Sequence, residues 1–218
     1  GLAPDAVVLV ATTKALKMHG GVSKSDLKGE NVEAIRKGCE NLGRHIRNLG
    51  QYGVPVTVAI NHYITDTDAE HQAIQEYCEQ FNVGCTVSSH WELGGKGATD
   101  LAQAVVDVVD KESSQFRPLY EDEMPLWDKV RTIARNIYGA EDIIADKKVR
   151  QQFADFEEAG YGHYPICMAK THLSLSHDPL LVNAPEGFTV PVRDLRAYTG
   201  AGWIVALCGD MMTMPGLS

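Results

Sequence analysis

Short runs of β-branched and other apolar residues alternate with helical patterns through the first half of the chain. The apolar runs are Ala6–Ala11, Val54–Ile60 and Val83–Val87. Between the first two, Asn31–Gly50 has apolar residues at steps of three and four, the period of an amphipathic helix. This alternation is typical of a parallel sheet with right-handed helical crossovers. We therefore expect an α/β fold with a mostly parallel sheet and flanking helices.

Local signals add detail to this sheet. Ala6–Ala11 lies so near the first residue that we expect the chain to begin inside a fold, with this strand buried on both faces. Lys14–Gly21 is typical of a short turn or helix ended by glycines. Thr67-Asp-Ala-Glu70 has the spacing of a capping box, in which the threonine hydroxyl and the glutamate carboxylate bind free backbone amides. A helix is predicted to begin there.

Polar residues follow two of the predicted strands. Parallel sheets bind ligands beyond the carboxyl ends of their strands, so the loops Asn61–Thr67 and Ser88–Gly97 matter most. Asn61 offers a hydrogen-bond donor and an acceptor, and Ser88 and Ser89 follow the next strand, a pattern that suits a base or a cofactor ring. Asparagine also tolerates the backbone angles of a turn. The spacing leaves both interpretations of Asn61 open.

The same two loops each carry an aromatic residue. Tyr63 and Trp91 are expected at one sheet edge, where two rings can sandwich a flat ligand. The alternative is ordinary packing of loop aromatics against the rim of the sheet, because most tyrosines and tryptophans are buried. From spacing alone, packing is the favoured interpretation.

The sequence has no P-loop of the form G-x-x-x-x-G-K-[ST]. Gly94-Gly-Lys-Gly97 resembles part of one, but it lacks the leading glycine and is followed by Ala98. A glycine-rich turn into a helix is the favoured interpretation, although a helix N-terminus there can attract an anion.

A polar, acidic connector over Ser113–Pro125 interrupts the pattern and predicts a boundary between modules. Helices are predicted over Leu126–Tyr138 and Asp146–Glu158. Three further strands are predicted, over Tyr164–Ala169, Phe188–Val192 and Trp203–Cys208. This half is expected to form a smaller α/β unit.

Two other groups of residues are interpreted as structural. One looks like the loose parts of a catalytic triad, but no G-x-S-x-G motif accompanies it, and a polar loop is predicted. It consists of His172, Ser174, Ser176, His177 and Asp178. The other, Met211, Met212 and Met214, is interpreted as core-filling side chains.

Charge and hydropathy exclude several classes of protein. The 218 residues include 20 lysines and arginines against 29 acidic residues, a net charge of −9, and the basic residues are scattered. This distribution argues against a nucleic-acid partner. The longest apolar run, Ala6–Ala11, is far shorter than the roughly 18 residues of a membrane span. No secretory leader is recognisable, so a cytoplasmic location is expected.

The cysteines and histidines show no metal-ligand spacing. Cys39, Cys78, Cys85, Cys167 and Cys208 are dispersed without a C-x-x-C pair, so buried reduced thiols are expected. The eight histidines are not clustered in the sequence either. No metal site is therefore predicted.

Six sequence blocks, spread in order along the whole chain, are similar to one enzyme family. They are Pro4–Thr12, Ala15–Gly21 (ALKMHGG), Gly53–Val56 with Ala59–Asn61, Thr65–Glu70 (TDTDAE), Tyr164–Lys170 (YPICMAK) and Gly209–Leu217 (GDMMTMPGL). On these blocks the chain resembles formate–tetrahydrofolate ligase, also called formyltetrahydrofolate synthetase. It resembles the C-terminal part of that longer enzyme.

The resemblance implies an ATP-dependent ligation in one-carbon metabolism. Formate attacks the γ-phosphate of ATP to give formyl phosphate, and N10 of tetrahydrofolate then takes the formyl group. The fold implied is P-loop NTPase-like, with the P-loop, the Mg²⁺ site and the catalytic residues upstream of this chain. A homotetramer and a monovalent cation are also implied. The chain by itself is then expected to be inactive.

The resemblance also implies a division of the chain and a set of site residues. Residues 1–30 would be a remnant strand and turn of the nucleotide-binding domain, 31–118 a parallel α/β unit with folate-side loops, and 119–218 a C-terminal α/β unit. Tyr63 and Trp91 would sandwich the pterin ring, with Asn61, Val87 and Leu93 beside it. The implied cofactor-binding residues are Asn61, Ser88, Ser89, Gly94 and Gly95.

Two positions depart from the family pattern. Tyr63 stands where members commonly have phenylalanine, and Glu92-Leu93 stands where many have Ala-Lys. An alternative from another class is a non-catalytic module that binds folate or a nucleotide, or that holds an oligomer together. The strand so near the first residue favours the ligase.

Overall fold

The computed structural model describes residues 3–170 and 173–209. Two compact units make up the chain, Gly1–Arg117 and Pro118–Ser218. The finer division into three segments stays a prediction. Among the described residues, no helix has the length and apolar character needed to cross a membrane.

The first unit alternates strands and helices. Its strands are β1 (Val7–Ala11), β2 (Val56–Asn61) and β3 (Gly84–Ser88). Its helices are α1 (Thr13–His19), α2 (Val32–Gln51), α3 (Asp68–Glu79), α4 (His90–Leu93) and α5 (Thr99–Lys111). The strands lie in the order β1-β2-β3 and are all parallel. The predicted parallel α/β architecture is confirmed.

Polar caps begin the two helices that pack on one face of this sheet. The Asn31 side chain accepts a hydrogen bond from the Ala34 amide at the start of α2. Thr67 and Glu70 form the predicted capping box at the start of α3. Both caps satisfy amides that have no partner inside the helix.

The core of the first unit lies between these helices and the sheet. The apolar positions read from the helical period of α2 are buried in it, among them Ile35, Cys39 and Leu42. Val58 and Ile60 of β2 face them from the sheet. A Cβ atom at Gly38 of α2 would collide with the backbone carbonyl of Leu16, so the missing side chain lets α1 and α2 cross closely.

The strand β1 is not buried on both faces, contrary to the prediction. Leu9 and Ala11 face the core, but Val8 is 38% and Val10 61% exposed. Successive side chains of a strand point to opposite faces, and α2 covers only one face of β1 in the described part of the chain. The continuous apolar run therefore predicted the strand correctly, but the predicted burial of both its faces is wrong.

The second unit contains two small sheets. Its helices are α6 (Leu126–Ile133) and α7 (Lys147–Phe156), each continued by one π-helical turn. Its strands are β4 (Asp142–Ile144), β5 (Ile166–Ala169), β6 (Thr189–Pro191), β7 (Asp194–Tyr198) and β8 (Trp203–Leu207). The strands β4 and β6 pair in parallel, while β8 lies between parallel β5 and antiparallel β7. The predicted helices and three predicted strands are present.

Two strands of this unit were missed by the sequence reasoning. The strand β4 has only three residues, too few for a period to appear. The strand β7 has the alternation of a half-buried strand, with Leu195 buried and Arg196 exposed, and this signal could have identified it.

The cysteines are all free, but not all are buried. Cys39, Cys78 and Cys208 are buried, Cys85 is half-buried and Cys167 is exposed on β5. Burial raises the pKa of Cys39 and of Cys208 to about 12, which keeps both protonated. The prediction of buried thiols is wrong for Cys167, because alternate positions of β5 face solvent.

Two lysines are buried in the second unit. Lys129 donates hydrogen bonds to the carbonyls of Asp122, Gly162 and Tyr164. Lys170 donates one to the Ser174 carbonyl at 2.5 Å. Burial lowers the pKa of both, and that of Lys170 falls to about 8.

Candidate functional site

The carboxyl ends of the three parallel strands meet at one edge of the first sheet. Ala11 pairs with Ile60, and Asn61 pairs with Ser88. The loop that follows each strand therefore starts at the same edge. The expectation that the Asn61 and Ser88 loops lie side by side is confirmed by this register.

The loop after β2 is a tight turn that is hydrogen-bonded to the end of β3 and to the start of α1. The His62 amide donates to the Ser88 carbonyl at 3.0 Å. The Tyr63 amide donates to Asp66 Oδ2 at 2.9 Å, and Thr13 Oγ1, at the start of α1, donates to Asp66 Oδ1 at 2.5 Å. The side chain of Asp66 is fully buried. This carboxylate therefore holds the backbone of Tyr63 in place.

A cation lies against the Tyr63 ring. Lys14 Nζ is 4.3 Å from the ring centroid, and Tyr63 is half-buried. An ammonium over an aromatic face is attracted by the ring's electron density. One face of Tyr63 is thus next to a positive charge, which the sequence reasoning did not foresee.

Asn61 has an unused acceptor. Its Oδ1 atom is buried and has no hydrogen-bond partner among the described residues. The hydroxyl of Thr65, in the same loop, is also buried and without a partner in the described part of the chain. Buried polar atoms are nearly always hydrogen-bonded in folded proteins, so both atoms are candidates for ligand or water contacts.

The segment after β3 is helical, although a loop was expected there. After Ser88 and Ser89 it forms α4 and then a 3₁₀ turn over Gly94–Ala98. The Ser89 amide donates to the Gly97 carbonyl at 2.9 Å and closes the segment. A Cβ atom at Gly97 would collide with the backbone of Ser89, so this close return requires glycine.

The side chains of this segment differ in exposure. Ser88 is buried, and its hydroxyl lies 3.0 Å from Nδ1 of His90. Trp91 is 71% and Leu93 58% exposed. Ordinary packing against the rim of the sheet, the interpretation favoured from spacing alone, is wrong for Trp91, because α4 presents the indole to solvent.

The remaining predicted site residues differ in their burial. Gly94 and Gly95 are exposed in the 3₁₀ turn, and Ser89 is half-buried. Val87 packs against the core of the first unit. Its role beside a ligand stays a prediction.

The structure also brings together groups that the sequence reasoning missed. His62, Asp66 and His71 have ligand atoms that all lie within 4.8 Å of one another. Their spacing in the sequence matches no common metal-ligand pattern, because a turn and the start of a helix separate them. Lys17 and Glu70 form a fully buried ion pair with Nζ and Oε1 2.8 Å apart.

The two groups interpreted as structural are only partly described. Ser174, Ser176, His177 and Asp178 lie in a segment without helix or strand, as predicted, where the Asp178 amide donates to Ser176 Oγ at 3.0 Å. His172 and the methionines Met211, Met212 and Met214 lie outside the described residues.

Comparison with known proteins gives a consistent result. The family model described as formate–tetrahydrofolate ligase matches residues 1–218. Proteins named formate–tetrahydrofolate ligase from Roseobacter denitrificans and Ruegeria sp. are 57% and 56% identical over 217 residues. One from Granulibacter bethesdensis is 56% identical over 217 residues. Each alignment covers 100% of this chain but only 38–39% of the relative.

The match to the family therefore extends along the whole chain, while the chain spans about two fifths of the length of the curated relatives. By its sequence, the chain belongs to the formate–tetrahydrofolate ligase family.

Proposed function

We propose that this chain is the tetrahydrofolate-side part of an ATP-dependent ligase that makes 10-formyltetrahydrofolate from formate and tetrahydrofolate. Membership of the family supports the reaction, and the relatives carry that name. The observation that carries the assignment of the site is the exposed Trp91 in α4, the segment after β3. This segment starts at the sheet edge where the buried Oδ1 of Asn61 has no partner among the described residues. An exposed indole and an amide with an unpaired oxygen, on neighbouring segments of one sheet edge, suit a flat, hydrogen-bonding ligand such as a pterin.

In this proposal the two loop aromatics hold the pterin ring between them. Trp91 contributes a large apolar surface at a low cost in conformational entropy. Tyr63 keeps the flat face of a phenylalanine, and its backbone is held by Asp66. Lys14 occupies the region over one face of Tyr63, so the pterin stacks on the other face or displaces the ammonium.

Polar and apolar groups beside the rings complete the proposed pocket. Asn61 presents an amide that can both donate to and accept from the pterin edge. Leu93 adds exposed apolar surface in α4, the same short helix as Trp91. Ser88, Ser89, Gly94 and Gly95 are proposed to lie on the side of the nucleotide.

The reaction is proposed to run in two displacements. A formate oxygen attacks the γ-phosphorus of ATP and ADP leaves, which gives formyl phosphate. N10 of tetrahydrofolate then attacks the formyl carbon, phosphate leaves, and the amine loses a proton. The residues of this chain bind and orient the pterin so that N10 meets the formyl carbon, and such positioning provides much of the acceleration in bimolecular reactions.

The phosphate-binding elements are proposed to lie in the rest of the longer protein. The sequence has no P-loop, and phosphoryl transfer depends on phosphate clamping and on Mg²⁺. A P-loop NTPase-like sheet, of which β1 is one strand, is consistent with the exposed Val8 and Val10 on the open face of β1. The chain by itself is then expected to be inactive. A cytoplasmic homotetramer that requires a monovalent cation completes the proposal.

The test compares two exposed tryptophans in the intact enzyme. Trp91→Ala should weaken tetrahydrofolate binding by about 1–3 kcal/mol, or about 5- to 150-fold in Kd, because a stacked ring loses its partner. Trp203→Ala is the matched control, since Trp203 is 44% exposed in the second unit. Isothermal titration calorimetry measures both affinities, and the KM for ATP should change little.

The outcome separates the candidate functions. Unchanged tetrahydrofolate affinity in Trp91→Ala would refute the proposed pocket. Tetrahydrofolate binding without formate-dependent release of ADP from the intact protein would instead indicate a non-catalytic binding module.

A further inference from the structure

The loop that carries Tyr63 and the first turn of α3 bring together two histidines and one carboxylate. His62 follows β2, Asp66 ends the turn, and His71 lies near the start of α3. His71 Nε2 is 3.4 Å and His62 Nδ1 is 4.0 Å from Asp66 Oδ2. The two imidazole rings meet edge to face, with centroids 5.3 Å apart. Three potential ligand atoms therefore surround one small space.

The carboxylate at the centre of this cluster is already oriented. Its side chain is fully buried, and it accepts hydrogen bonds from the Thr13 hydroxyl and the Tyr63 amide. The side chain of His71 is only 9% exposed. Outer hydrogen bonds of this kind hold metal ligands in position and are a regular part of metal sites.

One atom of the cluster is left unsatisfied. His62 Nδ1 is buried and has no hydrogen-bond partner among the described residues. At 4.0 Å, Asp66 Oδ2 is beyond hydrogen-bonding distance. A buried polar atom without a partner destabilises the fold, and a cation between the three ligand atoms would remove that cost.

We propose that His62, Asp66 and His71 bind one divalent transition-metal ion, of which zinc is the best match. Two imidazole nitrogens and one carboxylate oxygen suit zinc and its neighbours, whereas Mg²⁺ and Ca²⁺ prefer oxygen ligands. Tetrahedral zinc places its ligand atoms about 3.4 Å apart. The His71–Asp66 spacing already fits. His62 Nδ1 lies 4.0 Å from Asp66 Oδ2, and the three ligand atoms lie within 4.8 Å of one another, so the His62 ring has to move toward the other two ligands.

The bound ion acts as a brace for the loop. It joins the end of β2, the turn and the start of α3 through side chains that are already close together. Because Asp66 also accepts a hydrogen bond from the Tyr63 amide, the bound ion would hold the backbone of Tyr63 in position. This site goes beyond the proposed ligase reaction and does not depend on it.

Metal binding to the intact protein tests the proposal directly. The protein is treated with a chelator, titrated with Co²⁺ and followed by its visible absorption, and bound Co²⁺ is then displaced with Zn²⁺. His62→Gln and His71→Gln remove one ligand each. His177→Gln is the matched control, because His177 is an exposed histidine of the second unit.

The expected result is one Co²⁺ per chain in the wild type and in His177→Gln, with the spectrum of four-coordinate nitrogen and oxygen ligation. Each cluster variant should bind Co²⁺ at least about tenfold more weakly. Far-UV circular dichroism checks folding, and His62, whose side chain is 25% exposed, provides a variant that tolerates substitution if His71→Gln unfolds.

Two results would overturn the proposal. One is wild-type affinity no higher than that of His62→Gln. The other is a sulfur-to-cobalt charge-transfer band, which would assign the ion to cysteine. Tetrahydrofolate affinity is measured separately, so a failure of this site is distinguishable from a failure of the proposed function.

Discussion

Replacing Glu70 by glutamine is expected to destabilise the first unit strongly. Glu70 and Lys17 are both fully buried, with Lys17 Nζ 2.8 Å from Glu70 Oε1. Lys17 also donates to the Gly29 carbonyl at 3.0 Å. Glu70 further accepts hydrogen bonds from the amides of Asn31 and Thr67. One carboxylate therefore links α1, the start of α2 and the start of α3.

The size of the effect follows from the geometry. Two unit charges 2.8 Å apart attract by about 6 kcal/mol at an effective dielectric constant of about 20. Glutamine is isosteric and keeps one oxygen as an acceptor, so part of this attraction is retained. Removing one partner of a buried pair generally costs about 3–5 kcal/mol, because the other charge stays buried. We expect a loss in this range for Glu70→Gln.

The matched control is an exposed pair between α2 and α3. Arg36 and Glu76 are 2.9 Å apart, with side chains 59% and 40% exposed. Glu76→Gln should cost at most about 1 kcal/mol, since solvent screens this pair. The double variant Lys17→Met/Glu70→Gln should be less destabilised than the sum of its single variants.

Hydrogen exchange followed by mass spectrometry provides the measurement. Peptides from α1 and α3 report the local free energy of opening, which is expected to fall in Glu70→Gln and to be nearly unchanged in Glu76→Gln. Equal effects of the two variants, within about 1 kcal/mol, would refute the reasoning.

Two further predictions concern a buried lysine and the closed segment after β3. Burial lowers the pKa of Lys170 from 10.5 to about 8, so the unfolded chain keeps this proton to higher pH than the folded chain. The free energy of unfolding should therefore rise between pH 8 and pH 10.5, by up to about 3 kcal/mol from this group. Urea unfolding should show this rise in the wild type and in the exposed-site control Lys148→Met, and Lys170→Met should lack it. Gly97→Ala should lower tetrahydrofolate affinity, because the added Cβ would collide with the backbone of Ser89. Gly50→Ala is the control, since a Cβ at Gly50 has no neighbouring atom within 4 Å, and this variant should keep the wild-type affinity. Equal affinities of the two variants in calorimetry would contradict the prediction.

Much of the fold could be predicted because its signals are local. A helical period identified α2, and the Thr67–Glu70 spacing identified the start of α3. The order of strands and helices predicted the parallel sheet. The strand β4 could not be predicted in this way, because its three residues become a strand only by pairing with β6.

The candidate site was predictable only in part. The rule for parallel strands brought the loops of Asn61 and Ser88 together correctly, as their pairing shows. The exposure of Trp91 could not be deduced, because it depends on the helical turn of α4. The cation over Tyr63 was also missed, since Lys14 reaches the ring from helix α1, which follows a different strand.

The sequence by itself determined most of the strands and helices, and which edge of the first sheet carries polar residues, because periodicity and capping act between near neighbours. Only the tertiary structure decided which side chains come into contact at that edge. The Thr13–Asp66 hydrogen bond joins residues 53 positions apart, and the cluster of His62, Asp66 and His71 forms where a turn meets a helix. Such contacts depend on how the chain packs in three dimensions, and no local pattern of residues encodes them.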